Sequence, residues 1–274
     1  MTLSTPDIDY LRASIQKRSG NVISASQSYL LEARLKPVAE SAGLHDVHAL
    51  VAELRKNPGN PLHQTVTEAM TINETSFFRD MQPFDALKEN VLPQLIEDRR
   101  SERSLSVWSA ASSSGQEAYS IAMLMRANFP QLATWKVSIL GTDLSDEMVR
   151  RTTEGVYSQF EVNRGLPASM LVKNFDRAGL NWQVKPELRS MVQARKLNLT
   201  DPWPTTVKYD VVFIRNVLIY FDVETKKQIL QRVYQAMRPD GYLFLGGGET
   251  LIQMDVPFER FSAGKTVCFR PVAR

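Results

Sequence analysis

Cysteine and histidine are scarce in this sequence, which has one cysteine and three histidines among 274 residues. The single cysteine, Cys268, excludes an internal disulfide and any metal site built from several thiolates. The histidines are His45, His48 and His63. They fall in a region of helical pattern, where we expect them on solvent faces, and their spacing suggests no metal site. The sequence therefore indicates neither a disulfide framework nor a metalloenzyme.

Long apolar runs and concentrated charge are also missing. Because the sequence has no charged-then-apolar leader and no long uncharged apolar stretch, we expect no membrane insertion and a cytoplasmic location. The net charge of +3 is spread along the chain, which argues against a nucleic-acid partner. With 43% hydrophobic residues, the chain can bury the core of one large domain, or of a domain with a smaller attachment.

The first part of the chain, residues 1–75, is predicted to be an all-helical domain. The stretch TPDIDYLRASIQKRSG has Thr5 and Pro6 at the start of a helix, apolar residues at helical spacing, and Gly20 as its stop signal. Further helices are predicted before residue 75. Residues 76–103 are predicted to form a linker and a connecting helix.

From residue 104 to residue 274 strands and helices alternate, which is typical of a parallel α/β sheet. The predicted strands are LSVWSA, WKVSILGTDLS ending at Asp143, YDVVFIRNVLIYF and YLFLGGGE, and FERFSAGKTVCFRP is predicted to form an antiparallel edge pair. The segment VETKKQILQRVYQAMRPDG is predicted to be a helix. Between residues 156 and 194 the pattern loosens, and NWQVKPELRSMVQARKLNL alternates like small antiparallel strands. We interpret residues 156–194 as an insertion.

The turn within WSAASSSGQEAYSIA lacks the several glycines of a dinucleotide site and has only Gly115. Ligands of open α/β sheets bind outside the carboxyl ends of the strands. Among the polar residues predicted there, Asp143 is suited to two ribose hydroxyls, Asn198 to an adenine edge and Glu117 to an amino acid moiety. S-adenosylmethionine fits this description, because it joins adenosine to an amino acid and has no phosphate. The sequence therefore predicts this cofactor.

Four segments carry a family resemblance: TINETSFFRD, WSAASSSGQEAYSIA, ILGTDLS and IRNVLIYF. In order and spacing they resemble the chemotaxis receptor methyltransferases, the CheR family, from roughly Ser14 to Arg270. The resemblance implies a Rossmann-like class I methyltransferase domain with a small antiparallel β-subdomain, preceded by an all-α N-terminal domain. It also implies a set of residues that contact the cofactor or line its pocket: Asn73, Thr75, Arg79, Glu117, Asp143, Asn198, Leu199, Arg215 and Asn216.

The same resemblance implies the reaction and the partner. Members of the family transfer a methyl group from S-adenosylmethionine to glutamate side chains of bacterial chemoreceptors, and S-adenosylhomocysteine is the product. Arg79 is expected to clamp the incoming carboxylate, and Tyr220 to orient the methyl end and exclude water. The expected partner is the cytoplasmic domain of a chemoreceptor, docked through the helical domain and the β-subdomain. The enzyme is expected to be a monomer that is recruited to membrane receptor arrays.

The sequence departs from the family pattern in two motifs and on the second predicted helix, which carries Arg34 and Lys36 but fewer basic residues than enteric members of the family. In the first motif, family members commonly have cysteine, glutamate and proline at the positions of Ser112, Gln116 and Ala118. In the second, they commonly have His-Ser-Glu at the positions of Gly247, Gly248 and Glu249. In the first motif small polar residues are retained, so the cofactor pocket is expected to persist. The glycines of the second motif are predicted to form a turn that ends a strand.

Other functions and ordinary structural roles stay open at this point. Another methyltransferase, acting on nucleic acid or a small molecule, would share the fold, although RNVLIYF lacks the Pro-Pro-aromatic sequence of adenine N6 enzymes. A non-catalytic docking module would keep the same pocket, and a methyl-transfer assay would distinguish it from an enzyme. Considered alone, Asp143 is typical of a helix cap and Tyr220 of a core aromatic.

Overall fold

The computed structural model describes residues 3–204, 207–252 and 254–272. It divides into two compact units. The smaller contains the chain up to Ile72 together with Ile219–Lys226, and the larger contains Asn73–Leu218 together with the chain from Lys227 onward. Within the described ranges, neither unit has a helix with the length and apolar character needed to span a membrane.

The smaller unit is helical, as the sequence predicts. Its helices are α1 Thr5–Ser19, α2 Tyr29–Ser41, α3 Val47–Lys56 and α4 Leu62–Ala69, with a 3₁₀ turn at Ala25–Gln27. The side chain of Ser4, rather than that of Thr5, caps α1 by accepting from the N–H of Asp7, and Gly20 ends the helix in the left-handed conformation. Apolar residues at helical spacing, among them the fully buried Leu11, form the core of this unit.

His63 is buried, so the expectation that all three histidines face solvent is wrong. Its side chain lies on the face of α4 that also carries Val66 and Thr67, three and four residues along. Its Nε2 lies 3.2 Å from the carbonyl oxygen of Leu54, and its Nδ1 lies 3.5 Å from the hydroxyl of Ser14. Burial lowers the pKa of His63, which keeps the imidazole neutral at pH 7.

The larger unit is a mixed α/β domain. Before its first strand the chain forms α5 Gln82–Ala86, a π-helical turn Leu87–Val91 and α6 Leu92–Asp98. Then follow β1 Ser104–Ala110, α7 Gln116–Asn128, β2 Lys136–Asp143, α8 Asp146–Glu154, β3 Val156–Tyr157, α9 Gln159–Asn163, α10 Ala168–Asn174, β4 Phe175–Ala178, β5 Asn181–Val184, α11 Pro186–Arg189 and β6 Val192–Lys196. The last elements are β7 Tyr209–Ile214, α12 Val223–Ala236, which begins in the smaller unit, β8 Met237–Leu245, β9 Phe258–Ala263 and β10 Thr266–Pro271.

Seven strands form the main sheet in the order β6-β2-β1-β7-β8-β10-β9. The strands from β6 to β8 run parallel, and β10 and β9 form the predicted antiparallel pair at the edge. Residues 211–214 of β7 are completely buried, as expected for a central parallel strand covered on both faces. Because the strand order reverses at β1, the turns after β1, β2 and β7 meet at one edge of the sheet, where ligands of such sheets bind.

Strands β3, β4 and β5 form a separate antiparallel sheet in the order β3-β5-β4, which lies within the predicted insertion. The prediction that the end of NWQVKPELRSMVQARKLNL is also an antiparallel strand is wrong, because β6 pairs in parallel with β2 in the main sheet. Phe77 packs edge-on against Tyr157 and Phe175, with ring centroids 5.1 and 5.7 Å apart. This aromatic cluster joins the small sheet to the segment that precedes α5.

Two elements end earlier in the structure than the sequence predicts. Strand β7 ends at Ile214 rather than continuing through Phe221, because Asn216 has a φ of +59°, which is incompatible with an extended strand. Helix α12 ends at Ala236, and β8 begins at Met237, so the sequence MRPDG lies in a strand. The proline in that sequence disfavours the helical conformation of the residue before it.

Candidate functional site

The turn after β1, residues 111–115, uses left-handed backbone conformations. Ala111, Ser113 and Gly115 have φ values of +53°, +51° and +92°. A Cβ atom at Gly115 would lie 2.8 Å from the hydroxyl oxygen of Thr152 on α8. Close packing of the turn on α8 therefore accounts for this glycine, and no phosphate needs to be invoked.

Asp143, at the end of β2, is buried and orders the neighbouring turn. The N–H of Ser113 donates to its Oδ2 at 2.8 Å, and the N–H of Ser145 donates to its Oδ1 at 3.0 Å. The side chain of Ser145 caps α8, so the helix-cap alternative for Asp143 is wrong. A carboxylate can accept about four hydrogen bonds, which makes this group chemically compatible with ribose hydroxyls as well.

Arg215, which follows β7, connects two other candidate residues. Its side chain is 1% exposed. Its Nη1 donates to the carboxylate of Glu117 at 3.0 Å, and Nη2 donates to the carbonyl oxygen of Arg79 at 3.0 Å and to the carboxylate of Asp80 at 2.7 Å. The other carboxylate oxygen of Glu117 accepts from the hydroxyl of Ser109 at 2.7 Å. The structure thus brings together Arg79, Glu117 and Arg215, and it adds Asp80, which the sequence analysis missed.

The segment 73–81 contacts both the turn after β1 and the chain near the small sheet. The carbonyl oxygen of Asn73 accepts from the hydroxyl of Ser113 at 2.7 Å. Arg79 forms an ion pair with Glu74 at 3.2 Å, and Glu74 also binds Arg164. The candidate clamp Arg79 is therefore held by a carboxylate of its own segment, in reach of the solvent.

Backbone strain is concentrated in the same segment. Phe78, Asp80 and Met81 have φ values of +48°, +67° and +43°, which side chains with a Cβ rarely adopt. The N–H of Phe78 donates to the hydroxyl of Ser120 at 2.9 Å, which helps to fix this conformation. Such strain persists only where the surroundings enforce it, and it is typical of functional segments. Thr75, a predicted cofactor residue, is half-buried in this segment.

Asn198 and Leu199 lie in the turn after β6. The side-chain oxygen of Asn198 accepts from the N–H and the hydroxyl of Thr200, at 3.1 and 2.8 Å. The carbonyl oxygen of Leu199 accepts from the side chains of Trp203 and Arg232. Both residues follow a strand, as predicted, although that strand joins the main sheet beside β2. Both also have structural contacts in addition to any role towards a ligand.

Glu249 is a second residue that the sequence analysis did not assign to the site. Its Oε2 accepts from the N–H groups of Asn216 at 2.9 Å and Gly246 at 2.7 Å. Its Oε1 accepts from the N–H groups of Val217 at 2.9 Å and Leu218 at 2.7 Å. One carboxylate therefore satisfies four backbone donors around the turn that contains Asn216. The glycines before it form the predicted turn after β8.

Tyr220 belongs to the smaller unit, whereas the predicted cofactor residues belong to the larger one. It lies at the end of a 3₁₀ turn, Leu218–Tyr220, and its side chain is half-buried. Its carbonyl oxygen accepts from the N–H of Val22 at 2.9 Å. Its place beside a transferred methyl group stays a prediction.

The chemistry of these groups fits a nucleoside that carries an amino acid. The carboxylate of Asp143 suits vicinal hydroxyls, and the carboxylate of Glu117 suits an ammonium group. The buried Nε of Arg215 has no hydrogen-bond partner among residues 3–204, 207–252 and 254–272, and it is a donor suited to a carboxylate. Over the same residues, no group of three or more His, Cys, Asp or Glu side chains could hold a metal ion.

Comparison with known proteins agrees with this chemistry. Residues 73–267 match the family described as "CheR methyltransferase, SAM binding domain". Chemotaxis protein methyltransferase 1 of Pseudomonas aeruginosa is 38% identical, covering 98% of this chain and 99% of its own length. Chemotaxis protein methyltransferase Cher2 of Pseudomonas putida is 40% identical, covering 92% of each chain. Among solved structures, PKMT2 from Rickettsia typhi in complex with AdoHcy overlaps 64% of this chain and 26% of its own, with a TM-score of 0.38.

Proposed function

Because the chain belongs to the CheR methyltransferase family, and is therefore an S-adenosylmethionine-dependent methyltransferase of chemotaxis, we propose that it esterifies glutamate side chains of chemoreceptors. The observation that carries this proposal is the family match over residues 73–267. The residues proposed to hold the cofactor are Asn73, Thr75, Arg79, Glu117, Asp143, Asn198, Leu199, Arg215 and Asn216.

The reaction needs no general base. A glutamate side chain has an ordinary pKa of about 4.3, so the attacking carboxylate is already ionised at neutral pH. The cofactor supplies a methyl group on a sulfonium sulfur, and an oxygen–carbon bond forms as the carbon–sulfur bond breaks. The protein has to align the reacting groups, a task that can lower a barrier by roughly 7 to 11 kcal/mol.

Arg79 is the proposed clamp for the substrate carboxylate. Its guanidinium suits a carboxylate at two points, and its side chain is 32% exposed, so an incoming group can reach it. The clamp has to be moderate, because the negative charge of the carboxylate disappears during the transfer and tight binding of the anion would raise the barrier. The ion pair with Glu74 already limits the net positive charge that Arg79 offers. Tyr220 is proposed to orient the methyl end.

We propose that the partner is the cytoplasmic domain of a chemoreceptor, and that the enzyme acts in the cytoplasm as a monomer recruited to receptor arrays. Lys17 on α1 and Lys36 on α2 are exposed, and they suit an acidic receptor segment. Attraction of this kind weakens as salt is added.

Methyl transfer from tritium-labelled S-adenosylmethionine to chemoreceptor-containing membranes tests the proposal. Label is expected on the receptor in a form that alkali releases as methanol, because glutamate methyl esters hydrolyse in base. A receptor with its methylated glutamates replaced by alanine is the control. Label that goes instead to nucleic acid or a small molecule would contradict the receptor assignment, and an absence of any transfer would support a docking module.

Replacing Asp143 with alanine tests the cofactor site. Asp143→Ala is expected to weaken S-adenosylmethionine and S-adenosylhomocysteine alike, by about 1 to 3 kcal/mol, because a charge-assisted acceptor is lost. Titration calorimetry measures both affinities. Asp146→Ala, which removes an exposed carboxylate three residues away, is the matched control. Unchanged affinity in Asp143→Ala would remove this residue from the ribose contact and leave it only its role in ordering the turn.

A further inference from the structure

We propose that Glu249 is a positioning residue of the methyltransferase site, which holds the turn from Arg215 to Leu218 in the shape that cofactor binding needs. The inference rests on the proposed cofactor site, because Arg215 and Asn216 are members of it. Glu249 itself is not proposed to touch the cofactor or the substrate.

The geometry supports this role because one carboxylate joins two separate chain segments. Three of its four N–H donors come from consecutive residues, 216–218, and the fourth comes from Gly246 at the end of β8. Hydrogen bonds to a charged acceptor are roughly twice as strong as those between neutral groups. Without the carboxylate, four backbone donors would lose their acceptor together.

The turn that Glu249 holds has a left-handed residue and a close backbone contact. Asn216 has a φ of +59°, and this left-handed conformation directs its N–H and those of the next residues towards one point. Gly246 allows the close approach, because a Cβ atom there would lie 2.8 Å from both the backbone nitrogen and the side-chain nitrogen of Asn216. The conformation of Asn216, the close contact at Gly246 and the carboxylate of Glu249 therefore depend on one another.

The turn held by Glu249 adjoins the buried charged residues of the site. Arg215 directly precedes Asn216, and its guanidinium spans Glu117 and Asp80. A shift of the turn would displace the backbone from which Arg215 extends. Since its side chain is 1% exposed and closely surrounded, such a displacement would disturb both ion pairs. Glu249 thus acts on candidate cofactor residues through the backbone that carries them, without contacting the side chains of Glu117 or Asp80.

Only an acceptor with two oxygens fits the four donors. In Glu249→Gln the amide has one oxygen, and its NH₂ group would face two backbone N–H groups, so that donors oppose donors. Glu249→Asp keeps two oxygens, although its side chain is shorter by one methylene. If the carboxylate acts by accepting these bonds, aspartate is the better substitute. If the side chain only fills space, glutamine is the better one.

The experiment compares Glu249→Gln, Glu249→Asp and Glu259→Gln, the last of which removes an exposed carboxylate on β9 as a matched control. The dissociation constant for S-adenosylhomocysteine is measured by calorimetry, and kcat and KM for S-adenosylmethionine by the tritium assay. We expect Glu249→Gln to raise the dissociation constant about tenfold or more, Glu249→Asp to raise it less, and Glu259→Gln to leave it unchanged. Thermal unfolding is recorded for each variant, and binding is measured well below its Tm.

Two outcomes would overturn the inference. If folded Glu249→Gln binds S-adenosylhomocysteine within twofold of the unaltered chain, Glu249 contributes to stability alone. If Glu249→Gln binds better than Glu249→Asp, the side chain acts by filling space. An unaltered chain that does not bind S-adenosylhomocysteine would instead contradict the proposed cofactor site, on which this inference depends, so the two failures are distinguishable.

Discussion

Replacing Arg79 with lysine is expected to lower the rate of methyl transfer about 100-fold at saturating cofactor, while cofactor affinity changes by only a few fold. The guanidinium of Arg79 binds Glu74 through two groups at once, its backbone carbonyl and its carboxylate, each at 3.2 Å. A lysine ammonium is a point charge on a flexible stem. It cannot hold Glu74 and a substrate carboxylate in one fixed geometry. Single-turnover transfer to a receptor fragment measures the chemical step.

Arg164→Lys is the matched control for this experiment, because Arg164 also binds Glu74 but has no proposed role towards the substrate. It is expected to transfer methyl groups at nearly the unaltered rate. A full rate in Arg79→Lys would remove Arg79 from the chemical step. If instead cofactor affinity and stability fall together in Arg79→Lys, its role is to fix the segment 73–81. Tyr220→Phe is expected to reduce the rate less, because only the hydroxyl is lost.

Replacing Gly165 with alanine is expected to lower the free energy of unfolding by roughly 3 kcal/mol or more. Gly165 has a φ of +82°, and a Cβ atom there would overlap the carbonyl oxygen of Phe77. Backbone cannot move aside as a flexible side chain can. Phe77 is also part of the aromatic cluster that joins the small sheet to the segment 73–81, so the disturbance would spread to the candidate site.

Gly179→Ala provides the control, since Gly179 also has a positive φ, +63°, but no atom of the described residues lies within 4 Å of an added Cβ atom. It is expected to cost about 1 to 2 kcal/mol, the penalty of the left-handed conformation alone. Urea unfolding of both variants measures the difference. Equal losses would show that the backbone around Phe77 relaxes, and would contradict the close packing inferred for Gly165.

The sequence predicts those features whose cause is local. Gly20 ends α1 because a left-handed residue terminates a helix, and that preference is visible in the sequence itself. Asp143 ends a strand because the apolar run stops there. The turn at Gly264 between β9 and β10 has the same local origin. In each case the residue that causes the feature lies within a few positions of it.

Features that depend on distant partners could not be predicted. The alternation in the sequence of β6 is the same whether the strand joins β2 in parallel or pairs with the insertion, and only the assembled sheet decides between them. Asp80 lies 135 residues from Arg215, and Glu249 lies 31 to 33 residues from three of its donors. The signal that could have identified Glu249 was a lone carboxylate directly after glycines at the end of a buried strand.

The charged side chains around Arg215 and Arg79 have a consequence for how quickly a substrate arrives. Three carboxylates face three guanidiniums in this group, formed by Glu74, Asp80, Glu117, Arg79, Arg164 and Arg215. Their fields cancel at a distance, and what is left is screened within about 8 Å at physiological ionic strength. The group therefore exerts no long-range attraction on the proposed acidic receptor segment. Electrostatic steering, and with it the association rate, depends on charges elsewhere on the surface.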